Sequence, residues 1–150
     1  MRAPFKWLGG KGNMAAKLMK LLPAHSTYVE PYFGAGSVFF AKAPAEIETI
    51  NDLDSAVAGF FRVLRDQPEE FIRLANATEY GREVWKDCRA TWREEPDPVR
   101  RAWKWWVVAA MSFSGKFGGI PDFDFVKGSS PSVDVVRHNV LLIPELPLSC

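Results

Sequence analysis

The sequence predicts an α/β chain carrying a mainly helical insert, and three observations support that class. Residues 26–75 alternate a short run (Thr27 to Tyr32), a glycine turn (Gly34, Gly36), an apolar helix-like stretch (Val38 to Ala43) and a second run (Ile47 to Ile50). Strand, turn, helix, strand is the order of a βαβ unit, whose strands pair in parallel. Apolar residues at helical spacing flank this unit on both sides. Residues 80–127 then change character, with five of the six tryptophans and clustered charges, and read as an insert.

Each element has its own signal. In residues 1–22 a loop with Gly9, Gly10 and Gly12 leads into Met14, Leu18, Leu21 and Leu22, which reads as loop then helix. After the second run, Val57, Phe60, Phe61 and Leu64 mark a long helix. Within the insert, Val99, Trp103, Trp106, Val107 and Ala110 lie at offsets of 4, 7, 8 and 11 from Val99, an apolar stripe that packs into a core. Asp97 ahead of Pro98 supplies an N-cap with proline at the first helical position. Phe113 to Phe125 alternates aromatics with Ser, Gly, Lys and Asp, broken by Gly115, Gly118, Gly119 and Pro121, which fits a loop with a short hairpin.

Composition narrows the function classes. A chain of 150 residues with 47% apolar, 13% aromatic and 25% charged residues fits one globular domain, or one with a small insert, and argues against disorder. Nineteen Lys and Arg against eighteen Asp and Glu leave a net charge of +1, so any nucleic-acid argument must rest on local charge. The longest apolar stretches, such as Val107 to Met111, fall far short of the roughly 20 residues that cross a bilayer, so no membrane association is expected. Glycines and Lys11 stand where a secretory apolar run would be. Cys88 and Cys150 make no disulfide framework and have no partner at metal-ligand spacing, so the expectation is a cytoplasmic, metal-free protein.

Two patterns carry chemistry. Gly34-Ala35-Gly36 follows a predicted strand and opens a predicted helix, where backbone N–H groups let a ligand approach closely. Phe39 stands where the dinucleotide fingerprint wants its third glycine, which disfavours a nicotinamide or flavin enzyme. Asp52 ends the next strand 18 residues after Gly34, close to the interval of about 20 at which an acid binds a ribose hydroxyl. Together they suggest a nucleoside-containing ligand; an ordinary tight turn and a strand-end acid account for the same residues equally well. Gly9-Gly10-Lys11-Gly12 is no Walker loop, since Phe5 and Gly12 replace its Gly and its Ser or Thr. Lys11 can still pair with a carboxylate or phosphate as a point charge. Residues 1–29 carry Arg2, Lys6, Lys11, Lys17 and Lys20 with no acid, and 82–116 carry eight basic against five acidic residues. Such zones can touch phosphates and bases, although a solvated helix face explains Arg82 to Arg101 about as well.

Taken together, three segments resemble Dam-type (D12 class) DNA adenine-N6 methyltransferases. They are Pro4-Phe5-Lys6-Trp7-Leu8-Gly9-Gly10-Lys11, Val29-Glu30-Pro31-Tyr32-Phe33-Gly34-Ala35-Gly36-Ser37-Val38-Phe39 and Ile50-Asn51-Asp52. Asp97-Pro98-Val99-Arg100-Arg101-Ala102 and Ser112-Phe113-Ser114-Gly115-Lys116 look like that family's target-recognition insert, and the likeness covers about residues 3–120. The resemblance implies a partial Rossmann-like methyltransferase sheet, with residues 1–79 and 128–150 as an S-adenosylmethionine-binding domain and 80–127 as the insert. It implies S-adenosylmethionine over Gly34 and Gly36, held by Trp7, Lys11, Glu30, Phe33 and Asp52, and double-stranded DNA on Arg100, Arg101, Ser112, Ser114 and Lys116. These roles are chemically sound. A lysine pairs the methionine carboxylate, an indole covers the cofactor, an aspartate accepts from ribose hydroxyls, and Glu30 suits a cationic sulfonium or braces the loop. The family extrudes adenine from the duplex, and its exocyclic nitrogen takes the methyl group.

One departure matters. The family's catalytic Asp-Pro-Pro-Tyr motif follows the insert, and no Pro-Pro pair occurs in these 150 residues, so the catalytic residues are unknown. Lys116 also stands, after Gly115, where family members carry an arginine. The expectation is a truncated or split form, feeble alone or completed by a second chain that supplies the missing half. A non-catalytic module binding S-adenosylmethionine or DNA is the alternative, and a βαβ protein for another nucleotide a third. An incomplete sheet would also leave an apolar patch near Val135 to Leu148.

Overall fold

The computed structural model describes residues 3–119. Among them lie five helices and two strands: α1 (Gly12–Met19), β1 (Thr27–Glu30), β2 (Ile47–Ile50), α2 (Ser55–Asp66), α3 (Pro68–Asn76), α4 (Arg82–Thr91) and α5 (Pro98–Ala110). The expected patch at Val135 to Leu148, the 128–150 part of the first domain and the loop beyond Gly119 lie outside the described residues.

The strands pair in parallel as expected, with Thr27 opposite Ile47 and Glu30 opposite Ile50. β1 stops two residues earlier than its apolar run, because Pro31 has no N–H to give to a ladder. The chains stay joined past the strands: Asn51 N–H donates to Glu30 O and Phe33 N–H to Asn51 O, each at 3.0 Å. The strand ends therefore finish side by side.

The helix expected at Val38 to Ala43 is a correction. That stretch is a series of turns, with Phe40 N–H on Gly36 O and both Ala41 and Lys42 N–H on Val38 O. Gly34 and Gly36 at positive φ head the segment and Pro44 follows it, leaving too few residues to repay helix nucleation. Its phenylalanines are buried all the same, so hydrophobic burial rather than backbone regularity holds the crossover.

α2 begins where Asp54 Oδ1 accepts the Ala56 N–H at 2.9 Å, and buries Val57, Phe60, Phe61, Val63 and Leu64. α3 follows with Pro68 at its start and Glu69 and Glu70 in its first turn, where carboxylates suit the helix dipole. α5 starts as read, with Asp97 Oδ1 accepting the Arg100 N–H at 2.7 Å. The expected stripe is more than one face. Ala102, Trp105, Val108 and Ala109 are buried as well, while Trp103 is only half-buried. A helix apolar nearly all round must be central, and α5 packs on α2, α3 and α4 together. The segment read as an insert thus contributes its main helix to the same core as α2. Past α5, the described part of the expected hairpin loop is a short 3-10 turn, Phe113–Gly115, and a second turn.

Two outcomes follow for stability. Phe60→Ala, at 1% exposure, lowers unfolding free energy by about 3–5 kcal/mol in denaturant titrations, whereas Asp97→Ala costs about 1 kcal/mol through the lost cap. Burial pushes the Cys88 thiol up to about 12, so iodoacetamide at pH 8 leaves Cys88 unmodified in the folded protein and alkylates it on unfolding, as peptide mass mapping will show.

Candidate functional site

The site begins in the N-terminal loop. Gly10 N–H closes a turn on Trp7 O at 2.9 Å, and a Cβ at Gly10 would stand 2.8 Å from that oxygen, so only glycine fits. The turn delivers Lys11 to the start of α1, where its ammonium donates to Tyr32 O at 2.7 Å and ion-pairs with Glu30. Glu30 closes β1 with only 4% of its surface exposed. A carboxylate that deep needs partners, and it has Lys11 on one oxygen and the Tyr28 hydroxyl, at 3.0 Å, on the other. Burial and the neighbouring Glu30 raise the Tyr28 hydroxyl well above its ordinary range, so it stays protonated and donates.

The glycine turn meets this pair from the other side. Gly34 N–H donates to Asp52 Oδ2 at 2.6 Å, and Asp54 N–H donates to Oδ1 at 2.9 Å. A carboxylate offers about four lone-pair positions, so Asp52 keeps roughly two for a further donor. Gly34 has φ +53°, and a Cβ there would lie 3.0 Å from Trp7 Cδ1. The indole edge therefore lies against a bare backbone.

These residues surround one cleft of about 220 Å³, lined by Trp7, Lys11, Phe33, Gly34 and Asp52 together with Tyr32. Glu30 stands behind Lys11 as its counter-charge. Gly36 departs from expectation: it is absent from the lining, and a Cβ on it would be 2.6 Å from Phe33 and 2.7 Å from Phe40. Its glycine serves ring packing beneath the cleft. Phe33 and Asp52 also border a smaller apolar niche of about 100 Å³ with Ile50, Val57 and Phe61. The two spaces together reach the lower end of the roughly 300–1,000 Å³ usual for ligand sites.

The residues expected to face DNA separate. Arg100, Arg101 and Lys116 are exposed, and Ser114 lies in the 3-10 turn. Ser112 is corrected to an internal role: at 1% exposure, its hydroxyl donates to Val108 O at 2.6 Å and accepts from Trp85 Nε1 and Gly118 N–H, each at 3.2 Å. Arg100 lies near Glu70 and Glu95, whose carboxyls are held below the usual range chiefly by hydrogen bonds from Arg73 and Lys104, with the Arg100 charge adding to the effect. Arg101 instead borders a larger groove on the other side of α5.

Two groups escaped the sequence reading. Tyr28 was counted only as part of a strand, yet it fixes Glu30. Lys42 and Glu48 form a buried ion pair at 2% and 4% side-chain exposure, with Lys42 also 4.4 Å from the Tyr28 ring centre. Their signal was a charge on each side of Pro44 within an apolar stretch, which has no period to read.

Comparison of the sequence with known proteins identifies a family. Residues 7–117 match the D12 class N6 adenine-specific DNA methyltransferases. The chain belongs to that family. It is 30% identical over 122 residues to a type II methyltransferase of Lactococcus lactis subsp. cremoris, covering 76% of this chain and 43% of that protein. A DNA adenine methylase of Vibrio cholerae serotype O1 is 30% identical over 118 residues, covering 76% and 42%. The DNA adenine methylase of Escherichia coli strain K12 is 29% identical over 105 residues, covering 67% and 37%. The chain thus spans less than half the length of these relatives. Every residue lining the cleft, from Trp7 to Asp52, lies inside the matched stretch.

The two glycines respond differently to a methyl group. Gly36→Ala collides with two buried rings and destabilises by more than the roughly 1–2 kcal/mol that left-handed backbone costs an alanine. Gly34→Ala stays near that figure while shifting the near-ultraviolet signal of Trp7, and thermal denaturation with near-ultraviolet circular dichroism separates them.

Proposed function

We propose that these residues form the cofactor-holding and DNA-facing part of an S-adenosylmethionine-dependent enzyme that methylates adenine N6 in DNA. The observation that carries the reading is the convergence of Lys11 and Asp52 on one cleft over the bare Gly34 turn, with Glu30 paired behind Lys11. An adjacent ammonium and carboxylate complement a zwitterion, so Lys11 suits the carboxylate of an amino-acid group and Glu30 its ammonium. The free lone pairs of Asp52 suit ribose hydroxyls, and the apolar niche beyond it, walled by Ile50, Val57 and Phe61, suits a purine ring. Trp7 sets its indole edge against the Gly34 turn and gives the cleft an aromatic wall that suits a sulfonium. Bound there, the cofactor supplies an electrophilic methyl group. This chain's residues bind and orient it, and the apolar walls exclude water.

On this reading the parallel pair is the start of a Rossmann-like sheet, and Arg101 and Lys116 belong to the DNA side. Amine-accepting and base-stacking groups of the Asp-Pro-Pro-Tyr type are absent from these 150 residues, so they come from elsewhere on the protein or from a second chain. A second reading is a module that binds cofactor or DNA without transferring methyl groups. Tritiated methyl transfer to an adenine-containing duplex, with and without a candidate partner chain, decides between the two.

Calorimetry tests the cleft directly. S-adenosylhomocysteine binds the wild-type chain, and Lys11→Ala and Asp52→Asn each weaken it by about 10- to 100-fold, the value of a charge-assisted hydrogen bond. Lys17→Ala, on the exposed side of α1, leaves affinity unchanged. Equal affinity in all four proteins would sink the assignment.

A further inference from the structure

A groove of about 590 Å³, larger than the cofactor cleft, lies between the start of α2 and the start of α5. Its walls carry three arginines, Arg62, Arg93 and Arg101, and three aromatic rings, Trp92, Trp105 and Phe117. Three of the nearby acids are engaged with other groups. Asp54 caps α2, Asp97 caps α5, and Glu95 pairs with Lys104 at 2.8 Å. Among the described residues no carboxylate forms an ion pair with Arg93 or Arg101. Arg93 instead lies 4.4 Å from the Trp92 ring centre, a stacked guanidinium with its edge left for other acceptors.

The groove adjoins the cleft. Asp54, on its wall, donates its N–H to Asp52, and Phe117 packs 6.2 Å from Trp7 between ring centres. A polyanion lying along the arginines would therefore pass beside the cofactor position. Resting on the reading above, we propose that this groove is the track for one strand of the DNA substrate. The guanidiniums of Arg93 and Arg101 take backbone phosphates, and the Trp92 and Phe117 rings give the strand an aromatic wall. Arg100, one position along α5 but beside Glu70 and Glu95, lies off the track.

The test is binding of the full chain to a fluorescein-labelled duplex, followed by anisotropy between about 50 and 200 mM salt, where phosphate contacts set the slope. Arg93→Gln and Arg101→Gln each reduce the slope of log affinity against log salt by about 1, and together by about 2. Arg93→Lys and Arg101→Lys keep most of it, because a phosphate needs the charge more than the fork. Lys17→Gln with Lys20→Gln, an equal charge loss at the end of α1, leaves the slope unchanged. Thermal melts verify that each variant is folded. An unchanged slope in the glutamine variants, lysine variants as weak as the glutamine ones, or a wild type that retains no duplex at the lowest salt overturns the groove. Calorimetry with S-adenosylhomocysteine separates the two ideas: cofactor binding with no effect at the arginines removes the track alone, and slope changes without cofactor binding remove the methyltransferase reading alone.

Discussion

A single carboxylate reaching backward determines where the candidate site forms. Two parallel strands end side by side, and the chain leaving the first must turn at once because Pro31 cannot extend the ladder. The turn exposes the N–H of Gly34, a donor with no strand partner, and Asp52 at the end of the second strand accepts it at 2.6 Å. A charge-assisted bond of that kind is about twice as strong as a neutral one. It fastens the glycine turn to the sheet and, through the Asp54 N–H on the other oxygen, fastens the sheet to the cap of α2. One side chain thus registers the turn, the strand end and a helix start, so the cleft inherits its shape from the ladder.

The N-terminal loop is held in place from a distance. Leu8 N–H donates to Gly115 O at 3.1 Å, and Trp106 Nε1 donates to Pro4 O at 3.2 Å. Gly115 has φ +72°, and a Cβ there would meet the Lys6 and Trp7 backbone at 3.0 Å, so the loop rests on a position that only glycine allows. Trp105 completes the link, with Phe5 at 5.1 Å, Trp7 at 5.7 Å and Phe117 stacked at 5.5 Å. The tryptophan-rich stretch therefore supports Trp7 and the loop that leads to Lys11. A substitution at Trp105 would reach the cleft through packed rings, with no contact to a ligand.

What could be read in the chain and what could not divides along physical lines. Parallel pairing, α1, α2 and the Asp97-capped start of α5 were legible because each has a period, a cap or a breaker in its local sequence. Val38 to Ala43 was misread because apolar composition alone cannot tell a buried helix from buried turns. Trp105 fell outside the stripe drawn for α5 because periodicity assumes one buried face, and a central helix has several. In the cleft, Lys11, Gly34 and Asp52 were legible from spacing and are brought together. Gly36 and Ser112 were assigned outward roles and instead pack inward, since a motif names residue types without saying which way they point. Tyr28, two residues before Glu30 on the same strand, and the Lys42–Glu48 pair, six residues apart around Pro44, were invisible because residue types alone do not show which polar groups meet in the interior.

Charge bookkeeping over the whole chain hid the feature that matters most for partners. A net charge of +1 suggests neutrality, yet six of the eighteen acids are committed to partners within the described fold. Asp52, Asp54 and Asp97 accept backbone N–H groups, and Glu30, Glu48 and Glu95 face lysines. Arginines at the mouth of the groove have no such obligation toward a described carboxylate in the case of Arg93 and Arg101. Acids that cap helices also lie at their positive ends, so their field is partly offset by the helix dipoles. What a polyanion meets at short range is thus governed by placement, because exposed charges beyond about 8–10 Å are screened at physiological salt. A chain with nearly equal numbers of acids and bases can in this way present a basic groove beside a cleft whose own charges are paired.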